Sequence, residues 1–295
     1  MAILLTGASG FLGRIINQNF KDSIITLGRK NCDIISDIAN NIPPLPKVEI
    51  VIHAAGKAHT VPKNQKEAKQ FFDINVKGTH NLLKALEQGA IPKSFVFISS
   101  VAVYGVEAGR LINESSQLLA TDPYGKSKIE AERLVTEWAN KNGVICTILR
   151  LPLIAGINPP GNLKSMIDGI KKGYYFNIDG GRAKKSIVLA EDVAKIIPVA
   201  AKIGGIYNLT DSYHPAFFEL SRIIAGQLNK PIPLNIPRIF ATFIAKIGDF
   251  IGDKFPINSK KIKKITSDLT FDDSKAKRLL NWQPMSVLEG FKINL

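Results

Sequence analysis

Tyr124 and Lys128, four residues apart in DPYGKSKIEAE (122–132), are a pair whose side chains can move a proton. On a helix that spacing puts both on one face, one turn apart, while Lys126 projects elsewhere. An ammonium near a phenol favours the phenolate and draws a tyrosine pKa from about 10 toward the working range. Such a tyrosine takes a proton from a hydroxyl as hydride leaves the same carbon, or gives one to a carbonyl as hydride arrives. Ser100, which closes the apolar run SFVFISS (94–100), is placed to hydrogen-bond the same oxygen. Alone, a Tyr/Lys pair at helical spacing is surface decoration; it carries chemistry when a hydride carrier binds beside it.

The N-terminus supplies a site for that carrier. LLTGASGFLGR holds Gly7, Gly10 and Gly13 between a strand and a helix. Gly7 permits a tight turn, Gly10 lets backbone approach a pyrophosphate, and Gly13 lets the helix pack close to the sheet. The helix N-terminus then offers free N–H groups and a positive dipole end. A glycine-rich turn without a ligand is the bland alternative. At the end of the second strand an acid would bind a free ribose 2′-hydroxyl, whereas an arginine suits a 2′-phosphate. The chain has Arg29 and Lys30 there, which tilts NAD or NADP toward NADP; a guanidinium stacked on adenine would suit NAD as well. Asp37 is placed to accept from an adenine amino group with Ile38 packed on the base, or to cap a helix.

These residues need a scaffold, and the apolar pattern provides one. Runs at 2–6, 24–27, 48–53, 94–100 and 144–151 read as strands, with helical stretches at 10–20, 64–88 and 124–142 between them. Near-continuous Ile, Val and Leu indicate strands buried on both faces. The expected fold is therefore α/β, a doubly wound parallel Rossmann sheet with a smaller, partly intertwined C-terminal substrate domain. The first domain should span 1–155, with 186–212 returning to it; 156–185 and 213–295 should form the second. AGINPPGN (155–162) reads as a long loop, followed by a helix at 163–172, a turn at 179–182 and a strand at 186–190. Helices are expected at 215–228 and 237–253.

Composition narrows the function classes. A net charge of +14 invites nucleic acid, but the lysines are spread in pairs such as Lys171-Lys172 and Lys263-Lys264 with no nucleic-acid module around them, so none is expected. A basic balance also suits anionic dinucleotides and sugar diphosphates. Cys32 and Cys146 lie far apart without CxxC, and the four histidines have no metal-like spacing, so no metal site or disulfide framework is expected. The start MAILLTGASG lacks a signal peptide's basic region, and no run reaches the roughly 18 apolar residues of a membrane span. A cytoplasmic protein without an integral membrane segment is expected. IPRIFATFIAKIGDFIGDKF (236–255) has apolar residues at helical spacing beside lysines. Packing of that face on the substrate domain is the expectation, with peripheral membrane attachment the alternative.

Taken in order, the motifs resemble those of extended short-chain dehydrogenases/reductases of the NAD-dependent epimerase/dehydratase family, which act on nucleotide sugars. TGASGFLG (6–13) resembles the family's TGxxGFxG, VIHAAG (51–56) its HxAA segment, NVKGT (75–79) its NxxGT helix start, and FISSVAVYG (97–105) its serine strand. YGKSK (124–128) resembles YxxxK, the Gly161-Asn162 pair the substrate-loop asparagine region, and FDDSKAKRLLNWQP (271–284) the closing segment. The resemblance implies a catalytic group of Ser100, Tyr124 and Lys128. It implies a cofactor lining of Gly7, Gly10, Phe11, Leu12, Gly13, Arg29, Asp37, Ile38, Ala54, Ala55, Asn75, Lys128 and the backbone near Leu151. A sugar nucleotide would meet Ser100, Tyr124, Asn162, Arg182 and Lys185. Asn75 can instead be a helix cap, His53 a satisfied strand-end histidine and Asn162 a loop former. A homodimer through two Rossmann helices is also implied.

Two departures bear on reaction type. Family dehydratases carry an Asp-Glu pair just after the serine-position residue; Val101 and Ala102 stand here, which disfavours 4,6-dehydration. Many relatives have an arginine where this chain has Lys184-Lys185; lysine keeps the charge but loses the bidentate fork, leaving Arg182 to compensate. The pattern, including IPKSFVFISSV and LLNWQP, looks most like bacterial 4-keto-sugar reductases of surface-polysaccharide synthesis. The resulting expectation is NAD(P)-dependent reduction of a UDP-4-keto-hexose, N-acetylated or 6-deoxy. The alternative is a UDP-hexose 4-epimerase with tightly held NAD. A non-catalytic NAD(P)-sensing regulator is disfavoured because such proteins often lose the Tyr/Lys pair.

Overall fold

Short Ile/Val/Leu runs without charge cannot leave either face in water, and each of those in the first half becomes a strand of one parallel sheet. The structure, a computed structural model, describes residues 2–21, 23–58, 60–251 and 258–293. The sheet strands are β1 (Ile3–Thr6), β2 (Ile24–Gly28), β3 (Ile34–Ile35), β4 (Ile50–His53), β5 (Ser94–Ser100), β6 (Ile145–Leu151) and β7 (Gly205–Asn208). Their order is β7-β6-β5-β4-β1-β2-β3, with every neighbouring pair parallel. After β3 the chain crosses back to lay β4 against the other side of β1. That reversal opens a crevice at the C-terminal ends of β1 and β4, where such sheets bind ligands.

The period-two alternation sends side chains to two cores. Ile3 and Leu5 join Ile50, Ile52, Leu149 and Leu151 on one face, whereas Leu4 joins Val51, Phe95, Phe97 and Ile148 on the other. The first face is covered by α1 (Phe11–Asn19) and by Ala190–Ile203. The second is covered by Gly78–Gln88 and Pro123–Asn142, with Gln65–Phe72 alongside. In chain order these are α2 (Gln65–Phe72), α3 (Gly78–Gln88), α4 (Pro123–Asn142) and α6 (Ala190–Ile203), with α5 (Gly161–Lys172), which does not cover the sheet, between the last two. The helix expected at 64–88 is α2 and α3 joined by a π-helical turn at Asp73–Lys77. Asn75 sits in that turn, and its carbonyl accepts from Thr79 Oγ1 at 2.6 Å.

The second lobe has its own core. Leu163, Met166 and Ile170 of α5 meet Leu220 and Ile224 of α7 (Phe217–Gln227), with Ile187, Leu189, Val287 and Phe291. The loop expected at 155–162 is partly ordered: Leu153–Ala155 pairs in parallel with Ile187–Leu189, and α5 starts at Gly161. The helix expected at 237–253 is α8 (Arg238–Ile251); residues 252 and 253 lie outside the described residues. It is followed by α9 (Ser259–Thr266), α10 (Ser274–Leu280) and α11 (Val287–Gly290).

The lobes exchange segments. α6 and β7 return to the Rossmann layer, and so does part of the C-terminal segment read above as substrate domain. Ala276, Leu280 and Trp282 enter the core under α6, and Trp282 Nε1 donates to Thr210 O at 3.0 Å. The face of α8 corrects another expectation. Ala241 and Ala245 pack against Ile262 of α9, while Ile239, Phe240, Phe243 and Phe250 stay exposed. Small alanines let two helices approach closely, and these four large apolar residues lie off that contact. Among the described residues no helix is long and apolar enough to cross a membrane, and no group of three or more His, Cys, Asp or Glu can hold a metal ion. Cys32 and Cys146 are free thiols.

Leu280 is 1% exposed in the Rossmann core. Leu280→Ala should therefore cost about 2–4 kcal/mol in urea denaturation. A loss of a few tenths would mean α10 is a surface appendage.

Candidate active site

Backbone contact at the switch point makes glycine obligatory. Gly7 has φ +77°, and a Cβ there would lie 2.6 Å from Ala55 N and 2.7 Å from Ala54 C. A Cβ on Gly13 would lie 1.9 Å from Gly7 O. Gly10 N donates to Gly7 O at 2.9 Å, and no side chain caps α1, so its first amides face the turn. The turn is pinned to β4 by Thr6, whose carbonyl accepts from Ala54 N at 3.2 Å and whose hydroxyl accepts from Ala55 N at 3.2 Å. This cradle, which any Cβ would fill, fits a dinucleotide pyrophosphate at a helix N-terminus. Leu12 is buried beneath it, and the Phe11 ring lies beside Gly156.

From this turn a continuous set of contacts leads to the reacting pair. Gly56 follows Ala54-Ala55, and a Cβ there would stand 3.2 Å from Asn75 Oδ1 and 3.5 Å from Lys128 Nζ. Asn75 Oδ1 accepts from Lys57 N at 2.7 Å, and its Nδ2 donates to Lys57 O at 3.1 Å and to Ser127 Oγ at 2.9 Å. It is thus a clamp between the post-β4 segment and α4, not a cap. His53 is the satisfied histidine, bonded to Thr6 Oγ1 at 2.6 Å and Thr79 Oγ1 at 2.9 Å. Burial, helped by the Lys128 charge, pushes its pKa down to about 3, so it is neutral at physiological pH.

Asp122 and Pro123 start α4 where the reacting pair needs it. Asp122 Oδ1 accepts from Tyr124 N at 3.1 Å and Gly125 N at 3.0 Å, and Pro123 occupies the first turn. Tyr124 is half-buried beside Phe71, and Ser100 is the hydrogen-bonding neighbour that draws its phenol pKa down. Lys128 is buried; its Nζ donates to Ile98 O at 2.8 Å and lies 4.6 Å from the Phe97 ring centre. Lys126 is exposed.

The electrostatics correct one expectation. Burial, with the Asp122 charge, raises the Tyr124 pKa above 10, and the Ser100 hydrogen bond only partly opposes this. Lys128 is not among the groups lowering it. Burial pushes the lysine's own pKa down to about 8, against the pull of Glu132. The protein's own charges therefore leave the proton on Tyr124 at neutral pH, because desolvation of the phenol outweighs them.

One group that sequence reasoning missed lies one turn beyond Lys128. Glu132 accepts from Ser99 Oγ in a short hydrogen bond and pairs with Arg150 Nη2 at 2.7 Å, both side chains at 5% exposure or less. Arg150 Nη1 donates to Tyr104 Oη at 3.1 Å, and Tyr104 Oη donates to Asn208 Oδ1 at 2.8 Å. The network ties α4 to β5, β6 and β7 one turn beyond Lys128. Its available signal was the four-residue period 124, 128, 132 and an arginine inside the apolar run ICTILRL.

The remaining predicted residues divide. Leu151 is buried directly across from Ser100 in the β5–β6 register. Arg29 is exposed at the end of β2, where the nearby acid Asp33 is held by Thr26 N at 2.8 Å and Thr26 Oγ1 at 2.7 Å. Asp37 caps its own turn, accepting from Ala39 N at 3.2 Å and Asn40 Nδ2 at 2.9 Å. Ile38 lies against Gly78 of α3, with its carbonyl accepting from Asn81 Nδ2 at 2.7 Å. Asn162 and Arg182 are exposed on the second lobe. Lys185 is pinned by Lys264 O and Ser267 O, each at 2.9 Å, and burial pushes its pKa down to about 8. Of the 182–185 stretch, Arg182 and Lys184 are left as the exposed cations.

Comparison with known proteins bears on this arrangement. Residues 3–209 match the model of the NAD dependent epimerase/dehydratase family. The chain is 28% identical to the N-acetyl-alpha-D-glucosaminyl-diphospho-ditrans,octacis-undecaprenol 4-epimerase of Escherichia coli O157:H7, over 92% of this chain and 88% of that protein. It is 26% identical to the UDP-glucose 4-epimerase of Vibrio cholerae, over 99% of this chain and 93% of that one. Among solved structures, the UDP-N-acetylglucosamine 4-epimerase from Bacillus cereus shares the fold with a TM-score of 0.71 and 24% identity, covering 96% of this chain and 94% of its own.

Two substitutions separate the site's chemistry from its scaffold. Arg150→Met leaves the Glu132 carboxylate buried without its cation and should cost about 3–5 kcal/mol in denaturant unfolding. Lys128→Met should instead keep or raise stability at pH 7 while lowering kcat at least about hundredfold. The sign follows from a folded pKa of about 8 below the ordinary 10.5. Between those values the unfolded chain binds the extra proton, so the wild type gains stability as pH rises and closes the gap with Lys128→Met. A gap that widens from pH 8 to 10 would contradict a buried, reluctantly charged Lys128.

Proposed function

The chain belongs to the NAD dependent epimerase/dehydratase family, and from that premise we propose that it inverts C4 of a diphosphate-linked hexose, as a 4-epimerase. The observation that carries this reading is the meeting of Ser100, at the end of β5, with Tyr124, one turn before buried Lys128 on α4, and with Val101-Ala102 on the turn after Ser100. Such a site exchanges a proton at one carbon and has no adjoining carboxylate pair to expel water. The two curated 4-epimerases that align along nearly the whole chain favour epimerisation over net reduction. A hexose on a diphosphate is the substrate class both relatives support; the first is named for an N-acetylated sugar and the second for UDP-glucose, and UDP is the first carrier to test.

NAD, held along Gly7, Ala54-Ala55, Asn75 and Lys128, would take up and return the hydride. Tyr124 exchanges one proton with the C4 oxygen, and Ser100 hydrogen-bonds the same oxygen in both directions. A phenol that keeps its proton at neutral pH serves donation to a C4 carbonyl, whereas taking the proton of a C4 hydroxyl needs the phenolate, which the positive nicotinamide of bound NAD would favour. Rotation of the 4-keto sugar between the two steps inverts the centre. Arg182 and Lys184 are the exposed cations available to a diphosphate. Exposed Arg29 without a neighbouring free acid favours the second reading, an NADPH-dependent 4-keto-sugar reductase. We also infer a cytoplasmic enzyme, in keeping with its free thiols, and a homodimer built through α3 and α4.

The enzyme should interconvert UDP-N-acetylglucosamine and UDP-N-acetylgalactosamine with the cofactor it carries from purification. Tyr124→Phe should lower kcat at least about hundredfold with KM little changed. Stoichiometric NADPH oxidation with a UDP-4-keto-hexose would select the reductase. Turnover of neither substrate class would defeat both readings, and an unaffected Tyr124→Phe would defeat the mechanism.

A further inference from the structure

We propose that α8 docks this protein on the surface of an anionic membrane, lying in the headgroup plane without crossing it. Ile239, Phe240, Phe243 and Phe250 are 81%, 64%, 67% and 94% exposed. Positions 239, 243 and 250 fall on one line along the helix, with 240 beside it. The opposite side carries the small residues Ala241 and Ala245, fully packed against Ile262 and Ile265 of α9 and against Ile178 and Ile236. A helix whose only role is to cover a core buries its large apolar residues and exposes small or polar ones. α8 leaves Ile239 and three phenylalanines in water on one element.

Charge indicates what covers them. Arg238 and Lys246 line an open groove with Ile239, Thr242 and Phe243. Lys263 and Lys264 are exposed on α9, the helix that supports α8. Asp249, the acid of α8, is turned toward Ser259, accepting from its amide at 3.0 Å and from its hydroxyl. The whole chain carries +14. A second copy seated symmetrically on this face would bring Arg238, Lys246, Lys263 and Lys264 against their own counterparts. An anionic bilayer satisfies both halves of the pattern. Aromatic rings enter the boundary between headgroups and acyl chains, and long basic side chains reach back to lipid phosphates.

Docking by α8 would also set the orientation of the site. Ile178 and Ile236, on which α8 rests, flank the turn at Asp179–Gly181 that leads to Arg182. The substrate lobe is thus the part held at the lipid surface. This inference depends on the helix and its charges, and not on which sugar the enzyme turns over.

Vesicle sedimentation of the full-length protein tests it. The wild type should pellet with phosphatidylglycerol-containing vesicles, at least about tenfold less with pure phosphatidylcholine, and less again at high salt. The double variant Phe240→Asp, Phe243→Asp should lose at least about tenfold of that binding with an unchanged melting temperature, since both side chains already face water. Lys263→Glu with Lys264→Glu should lose binding to the anionic vesicles as well. A wild type that stays in the supernatant with every composition would overturn the proposal, as would binding that survives the aspartates. So would a wild-type dimer that the aspartates split into monomers while neither form binds vesicles. Each outcome is read without any sugar substrate, so failure here is separate from failure of the epimerase reading.

Discussion

An ammonium held out of water must be compensated by fixed polar groups, and the architecture around Lys128 follows from that requirement. Desolvation works against the charge, so the lysine is bonded to Ile98 O, laid over the Phe97 ring and backed by Glu132 on the next turn. Glu132 is itself a buried charge and needs Arg150, which in turn needs Tyr104 and, through it, Asn208. Each compensation draws in another strand, until α4 is tied across β5, β6 and β7. The helix that presents Tyr124 cannot tilt or slide without breaking a buried ion pair.

A second constraint, purely steric, fixes the other wall. The parallel sheet reverses its order between β1 and β4, and the backbones following those strands meet without room for a side chain. Gly7 and Gly13 are consequences of that meeting, and the exposed amides of α1 are its product. Asn75 joins the two walls, because one amide side chain bonds both Lys57 beside the glycine turn and Ser127 beside Lys128. Its π-helical turn is the local distortion that brings the side chain into reach. The outer lobe is less constrained. Its helices α5 and α7 pack on a separate core, and α8 sets Ala241 and Ala245 against Ile262 of α9.

Much of this was legible as local pattern. Runs of Ile, Val and Leu with at most one charge announced buried parallel strands, three glycines after the first strand announced the turn, and the 124/128 spacing announced a shared helix face. These signals depend on neighbours a few residues away, so a linear reading captures them. Arg150 was passed over because its partner Glu132 lies on a different element, and their meeting depends on how α4 lies across β6. The tyrosine's acidity was misjudged for a related reason: a nearby lysine was counted, but the desolvation that raises the phenol comes from Phe71 and the surrounding fold. The C-terminal segment was assigned to the wrong neighbour at Ala276 and Leu280, since an apolar face says that something covers it but not what.

The sequence by itself determined the class of sheet, the glycine turn, the shared helix face of Tyr124 and Lys128, and the absence of a carboxylate pair after Ser100. Each is a matter of residue type and short-range spacing, set by backbone geometry. Only the tertiary structure decided that Lys128 is bonded to Ile98 and that Glu132 and Arg150 support it. It also decided that Tyr124 holds its proton, and that the aromatic face of α8 points outward. Those outcomes depend on burial, and burial is a property of how distant segments pack.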